Sequence, residues 1–252
     1  MPSIDLNADA GESFGPWKMG SDEVLFPLLS SVNLATGFHA GDPLTIQRSI
    51  ALAKKHGVAI GAHPGFPDLV GFGRRDLAVT PEQAYADTLY QIGALAAFLR
   101  VEETPLHHVK PHGALYLQML KNEATAEAVA QAVRDYDPEL PLVLLANTPM
   151  EAAARRVGAR YVREAFPDRA YLSDGRLAPR SMEGALIRDP ERAAERAVQM
   201  VLKGKVEALD GGEVEVRAET LCVHGDNPEA VEIARAVRRA LEAAGVDVRS
   251  YR

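Results

Sequence analysis

The stretch VKPHGALY, residues 109–116, sets Lys110 and His112 two positions apart and follows them at once with glycine. A histidine trailed within two positions by glycine recurs in FHAGD around His39, AHPGF around His63 and VHGDN around His224. Imidazole can take or give a proton near neutral pH, and its neutral form can bind a metal. A lysine ammonium can stabilise a developing oxyanion or, once desolvated, act as a base. NADAGESFG adds two carboxylates, Asp9 and Glu12. Two close carboxyl groups can be driven to different pKa values and so divide acid and base roles.

Two further segments carry arginines. GFPDLVGFGRRDL holds Arg74 and Arg75, and EAFPDRAYLSDGRLAPR holds Asp168, Arg169 and Arg180. Guanidinium forks suit a carboxylate or a phosphate. Neither segment is a P-loop, because GxxxxGK[ST] is absent from the chain. Asp9 with several histidines raises the question of a divalent metal. No HxxxH or HExxH pair exists, however, and the ligands would have to come from separate strands, so a metal is possible but none is assigned. Cys222 carries no mark of a nucleophile and reads as a small core residue.

These residues need elements to position them. Five helices open on a capping residue followed by proline: DPLTIQ, TPEQAY, TPMEAA, DPERAA and NPEAVE. The side-chain oxygen can accept an orphan N–H, and proline at the first helical position gives up no hydrogen bond. Gly57, Gly158 and Gly245 mark helix ends. Two more helices are expected over 22–29 and 114–136, the second broken near Asn122. Between them lie strand-like runs at 4–9, 33–39, 58–63, 106–112, 142–147, 160–166 and 220–224. Strands alternating with helices imply a parallel sheet of βα units, and seven of them without a dinucleotide fingerprint favour an α/β fold closed as a seven-stranded (β/α) barrel. A hairpin is expected at VEALDGGEVEV. No linker or repeat is visible, so residues 1–252 read as one domain.

Strand alternation sorts the polar residues. Ile4, Leu6 and Ala8 share one face, and Asp5, Asn7 and Asp9 the other. His108, Lys110 and His112 share a face, as do Gly61 with His63, and Thr220 with Cys222 and His224. With helices outside, these polar sets point into the barrel, where burial costs several kcal/mol unless they are paired. Asp9, His39, His63, His112 and His224 fall at the C-terminal ends of their strands, the mouth where barrel active sites are built. The glycines behind them suit tight turns and close approach of a ligand.

The 252 residues carry a formal charge of −7, with 47% hydrophobic and 25% charged. An acidic chain of this kind is a poor partner for nucleic acid or an anionic membrane surface. No apolar run approaches the ~20 residues needed to span a bilayer. The N-terminus lacks a signal-peptide pattern, and one cysteine allows no internal disulfide. A cytoplasmic location is expected.

DLNADAGESFG, NLATGFHAGDP, GAHPGFPDLVGFGRR, VKPHGALY, FPDRAYLSDGRLAPR and CVHGDNP, in that order from Asp5 to Pro228, resemble the LamB/YcsF family. The departures are small: Thr36 where a Cys is frequent, Pro167 where Ala is usual, and Leu117 where Asn commonly follows the tyrosine. They remove any role for a thiol on the second strand. The resemblance implies a glycoside hydrolase/deacetylase-like barrel and ATP-dependent opening of the lactam 5-oxo-L-proline to L-glutamate, with two partner subunits, B and C. On that expectation Lys110 and His112 handle charge and protons at the lactam, and Asp9 or Glu12 serves as base. Arg74, Arg75 or Arg169 holds a carboxylate or phosphate, while Asn7, His39, His63, Asp168, His224 and Asp226 line the substrate site. The alternatives are a metal-dependent deacetylase or amidohydrolase acting alone, and a non-catalytic chain that serves its partners.

Overall fold

The computed structural model describes residues 1–223 and 229–251. Seven parallel strands form the barrel: β1 (Ser3–Ala10), β2 (Ser31–Ala35), β3 (Ala59–His63), β4 (Leu106–Val109), β5 (Leu142–Leu145), β6 (Tyr161–Ala165) and β9 (Thr220–Cys222). They pair in chain order, and β9 pairs with both β6 and β1, which closes the ring. The expected hairpin is present as antiparallel β7 (Lys205–Glu207) and β8 (Glu213–Glu215). An unanticipated short strand, β10 (Asp247–Val248), pairs with the start of β1 outside the ring.

Helices α1 (Asp22–Leu25), α2 (Pro43–His56), α3 (Pro81–Val101), α4 (Gly113–Lys121), α5 (Glu123–Tyr136), α6 (Pro149–Arg156), α7 (Pro190–Lys203) and α8 (Ala230–Ala243) cover the outside. The Asp42 carboxylate accepts from Leu44 N and Thr45 N, the Asp189 carboxylate from Arg192 N, and Thr80 forms a reciprocal capping box with Gln83. Thr148 behaves differently: its hydroxyl turns back to donate to the Leu145 carbonyl at 2.7 Å. Asn122 ends α4 and caps α5 through Thr125 N, which is the expected break. Asn227 lies outside the described residues, and the first described turn of α8 begins at Ala230.

β1 and β3 reach their expected C-terminal ends, and the other barrel strands stop short of theirs. β2 stops at Ala35 and β4 at Val109, so His39 and His112 stand on the loops beyond, and His112 is the N-cap position of α4. The alternation inside the strands is as expected. Ile4, Leu6, Ala8, Val32, Leu34, Ile60 and Leu221 join the buried apolar layer beneath the helices. Asp5, Asn7, Ser31, Asn33, His108, Glu164 and Thr220 are buried as well, and they bond to one another inside the ring.

Register explains how that polar interior packs. Asp9, Asn33, Gly61 and His108 are successive partners across β1, β2, β3 and β4. A Cβ at Gly61 would stand 2.1 Å from His108 Nε2, so the glycine leaves the hole that the imidazole fills. His108 Nε2 then donates to Asn33 Oδ1 at 2.6 Å, and Asn33 Nδ2 donates to Asn7 Oδ1 and Asp9 Oδ1. Asp5, deeper in the ring, accepts from Ser30, Ser31 and Thr220, yet burial still raises its pKa.

Candidate active site

Lys110 enters the ring one residue beyond β4 and is buried with its ammonium inside the barrel mouth. Its Nζ lies 2.8 Å from Glu164 Oε1, 3.1 Å from Asp9 Oδ1 and 3.0 Å from Cys222 Sγ. Burial disfavours the charge, but Asp9 and Glu164 outweigh it and hold the Lys110 pKa well above its ordinary value. The ammonium is therefore a fixed cation and a hydrogen-bond donor, not a base. The ammonium is at the same time the centre of a buried ion-paired group, with Asp9 and Glu164 as its partners.

Burial also works to raise the Asp9 pKa, yet His63 and Lys110 beside it hold it well below the usual carboxylate range. Asp9 is thus anionic at neutral pH, with Oδ2 3.3 Å from His63 Nε2. Burial drives the Cys222 thiol well above its ordinary pKa, so it stays protonated and packs against the ammonium. The core reading of Cys222 stands in its burial and misses its contact with Lys110.

A cavity of about 210 Å³ opens over this cluster, lined by Asp9, Lys110, His112, Tyr116, Phe166, Arg74, Arg169 and Arg180 among others. Of the two candidate carboxylates, Asp9 reaches the cavity wall and Glu12 does not. The arginines enter from the loops after β3 and β6. Arg169 is buried, donates through Nη2 to the Ala178 carbonyl at 2.7 Å, and makes no hydrogen bond through Nε among the described residues. Burial and the neighbouring Arg180 lower its pKa. The Arg74 guanidinium stacks over Phe72, 5.3 Å from the ring centre. The first turn of α4 also borders the cavity through Gly113 and Ala114, and helix N-termini favour anions.

Three sequence candidates go elsewhere. Arg75 leaves the cavity: its Nε donates to Asp68 at 2.8 Å and its guanidinium is largely exposed. Asn7 is consumed by the polar ring, donating to Thr220 at 2.6 Å and accepting from Asn33. Asp168 is buried near Arg169 and Arg196 and does not line the cavity. His224 and Asp226 lie outside the described residues.

His39 and His63 collect with Glu12 behind His112. One ligand atom from each of the four residues falls within 4.8 Å of the others, a group that could hold a metal ion. The four come from the ends of four successive strands and the loops beyond them, which is why no local spacing motif reported them. The glycines that follow the histidines serve this packing as well as turning the chain: a Cβ at Gly65 would stand 2.8 Å from His39 Nδ1.

Glu164 and Tyr116 were missed from sequence. Tyr116 donates to Glu164 Oε2 at 3.0 Å, so the carboxylate is held from one side and pairs with Lys110 on the other. Parity along YVREAF offered the signal: a glutamate near the C-terminal end of a strand, on a face otherwise carrying Val162 and Phe166.

The model of the LamB/YcsF family matches residues 4–252. A protein of Thermus thermophilus, named as the A subunit of 5-oxoprolinase, is 65% identical over 248 residues, covering 98% of this chain and 99% of that one. The crystal structure of a lactam utilization protein, also from Thermus thermophilus, superimposes with a TM-score of 0.96 at 64% identity, over 99% of this chain and 100% of that one. At 12% identity, the catalytic domain of a peptidoglycan N-acetylglucosamine deacetylase from Eubacterium rectale has a TM-score of 0.51, covering 100% of this chain and 89% of that chain, and shares the fold. No helix among the described residues is long and apolar enough to cross a membrane. On the match of nearly its whole length, the chain belongs to the LamB/YcsF family.

Proposed function

We propose that this chain, acting over residues 1–252 as one catalytic barrel domain, is the A subunit of a 5-oxoprolinase, opening 5-oxo-L-proline to L-glutamate with ATP as co-substrate and 5-oxoprolinase subunits B and C as partners. The observation that carries the reading is the pairing of an enforced cation, Lys110, with an enforced anion, Asp9, on the wall of a small cavity ringed by arginines. Relatives bearing that name support it.

The chemistry follows from the substrate. A five-membered lactam is a poor electrophile, and phosphorylation of its amide oxygen turns that oxygen into a leaving group. Water then attacks the ring carbon, the ring C–N bond breaks with a proton delivered to nitrogen to leave an acyl phosphate, and a second water displaces the phosphate to give the free carboxylate. Lys110 stabilises negative charge on the oxygen substituents as the carbon becomes tetrahedral. Asp9 accepts the proton of the attacking water, and its low pKa is offset by the falling pKa of that water as the new bond forms. His112, on the same wall and held neutral with a pKa lowered to about 3 by burial and the nearby His63, orients the ring. Arg169 and Arg74 hold the substrate carboxylate or the phosphoryl group, with Arg180 beside them. The buried lone thiol suits a reducing compartment, the cytoplasm.

The test is to incubate the chain alone and then with subunits B and C, following glutamate and ADP. Glutamate formed only in the complete mixture and only with ATP supports the reading. Glutamate formed by the chain alone without ATP would replace it with a self-sufficient amidohydrolase.

A further inference from the structure

The cluster behind His112 presents a problem of protons. His63 Nδ1 lies 2.6 Å from the Lys110 carbonyl oxygen, and His112 Nε2 lies 2.8 Å from that of Phe72. Carbonyl oxygens only accept, so both of these nitrogens carry hydrogen. The other two nitrogens, His63 Nε2 and His112 Nδ1, stand 3.0 Å apart. In neutral rings both are bare lone pairs directed at one another, and the Asp9 carboxylate, 3.3 Å from His63 Nε2, adds a third acceptor there, an arrangement that calls for a cation.

A single shared proton would satisfy that one contact and leave the rest of the cluster unexplained. His39 is buried and stacked on His112 at 3.8 Å between ring centres and 3° between planes. Neither of its ring nitrogens makes a hydrogen bond among the described residues, and Nε2 stands 3.4 Å from Glu12 Oε1. The surrounding loops are cut to bring the rings together: a Cβ at Gly73 would stand 2.8 Å from both His112 Cδ2 and His39 Cβ.

We propose that Glu12 Oε1, His39 Nε2, His63 Nε2 and His112 Nδ1 bind one divalent transition-metal ion of the zinc class. Three of the six donor separations, 3.0, 3.4 and 3.7 Å, suit ligands about 2.0–2.2 Å from one centre, and with all four atoms within 4.8 Å of one another a small inward shift of the side chains completes the shell. Three imidazoles and one carboxylate select zinc, cobalt or a similar ion over magnesium and calcium, which prefer all-oxygen shells. The bonds from His63 to the Lys110 carbonyl and from His112 to the Phe72 carbonyl are the outer contacts that fix ligating histidines in tautomer and direction. An ion bound there supplies a Lewis acid on the far side of the His112 wall, next to Asp9. The proposal rests on these residues alone and not on the lactam reading.

The test uses the full chain after dialysis against chelator. Zn²⁺ and Co²⁺ are titrated calorimetrically with Mg²⁺ as the comparison, and the visible absorption of the Co²⁺ form is recorded. The expected result is one Zn²⁺ or Co²⁺ per chain, a visible band of four- or five-coordinate cobalt with nitrogen ligands, and a rise in melting temperature. Losing a group that merely orients a ligand typically weakens metal binding about 10–100-fold. His39→Gln removes a ligand itself and should weaken binding more than that, while Arg75→Ala leaves it unchanged. Absence of stoichiometric binding by the wild-type chain would overturn the proposal, and that measurement needs no variant to fold. Binding undiminished in His39→Gln would overturn it too, by placing the ion elsewhere. Failure of glutamate production leaves the metal stoichiometry untouched, so the two readings fail separately.

Discussion

Glu164 grips the Lys110 ammonium at 2.8 Å through one carboxylate oxygen, while the Tyr116 hydroxyl bonds the other at 3.0 Å. The cation at the barrel mouth is therefore set by a residue from the sixth strand, remote in sequence. Lys110→Met should lower kcat for 5-oxoproline hydrolysis in the reconstituted system by about 10²–10³-fold, the scale of one lost charge-stabilising donor. It should also destabilise the chain by about 3–5 kcal/mol, because a buried carboxylate loses its counter-charge. The double variant Lys110→Met with Glu164→Gln should recover much of the melting temperature and none of the activity. Recovery of both would assign Lys110 a purely structural role.

Gly61 makes a sharper test of the packed polar ring. Gly61→Ala forces a Cβ against the His108 imidazole, a clash that costs about 1–3 kcal/mol or more and breaks the bond to Asn33. Gly61→Ala combined with His108→Ala should be more stable than Gly61→Ala alone, measured by urea denaturation. An additive loss would show that the two positions do not share one space.

Arg169 and Arg75 should part company in kinetics. Arg169→Ala removes a buried guanidinium from the cavity and should raise KM for 5-oxoproline or the co-substrate about 10–100-fold, as for a lost charged hydrogen bond. Arg75→Ala should leave KM unchanged and lower the melting temperature modestly, since its partner is the buried Asp68 carboxylate. Equal KM effects would remove the distinction between them.

Stability should fall with acid before the carboxylates titrate. Burial lowers the pKa of His39, His108 and His112, the last to about 3. Below about pH 6.5 the unfolded chain binds protons at these sites and the folded chain does not. The contribution is thus complete above about pH 6.5 and lost as pH falls toward the folded values. Unfolding between about pH 6 and 4 should take up about three protons from these residues, and His108→Gln should reduce that number by about one. A melting temperature flat over this range would contradict the buried neutral assignment.

How much of this was legible in the sequence differs by element. The capping residues and prolines place the starts of α2, α3 and α7, because a cap is a local event between a side chain and the next turn. Alternation in IDLNAD gives the inward face of β1 correctly for the same local reason. The expected ends of β2 and β4 run a few residues too far, because strand termination depends on where the neighbouring ladder stops. Glu164 escaped notice for a related reason: its importance lies in reaching Lys110 across the barrel, and no spacing in the chain encodes that. The four ligand candidates follow four successive strands, so only closure of the ring could assemble them. Arg75 looks equivalent to Arg74 in GRR, and the difference is set by Asp68 folding back beneath it.

The residues that crowd the mouth divide by origin. Glu12, His39, His63, Lys110 and His112 all come from the ends of the first four strands or the loops beyond them, whereas Arg169 and Arg180 arrive after the sixth. β5 contributes an apolar stretch, LVLL, between the two groups. On the proposed function, one side of the barrel carries the groups assigned to charge and protons, and the other carries much of what is assigned to an incoming anion. Such a molecule can be retrained: exchanging the segment between β6 and α7 would change which compound enters, with the reactive side inherited unaltered.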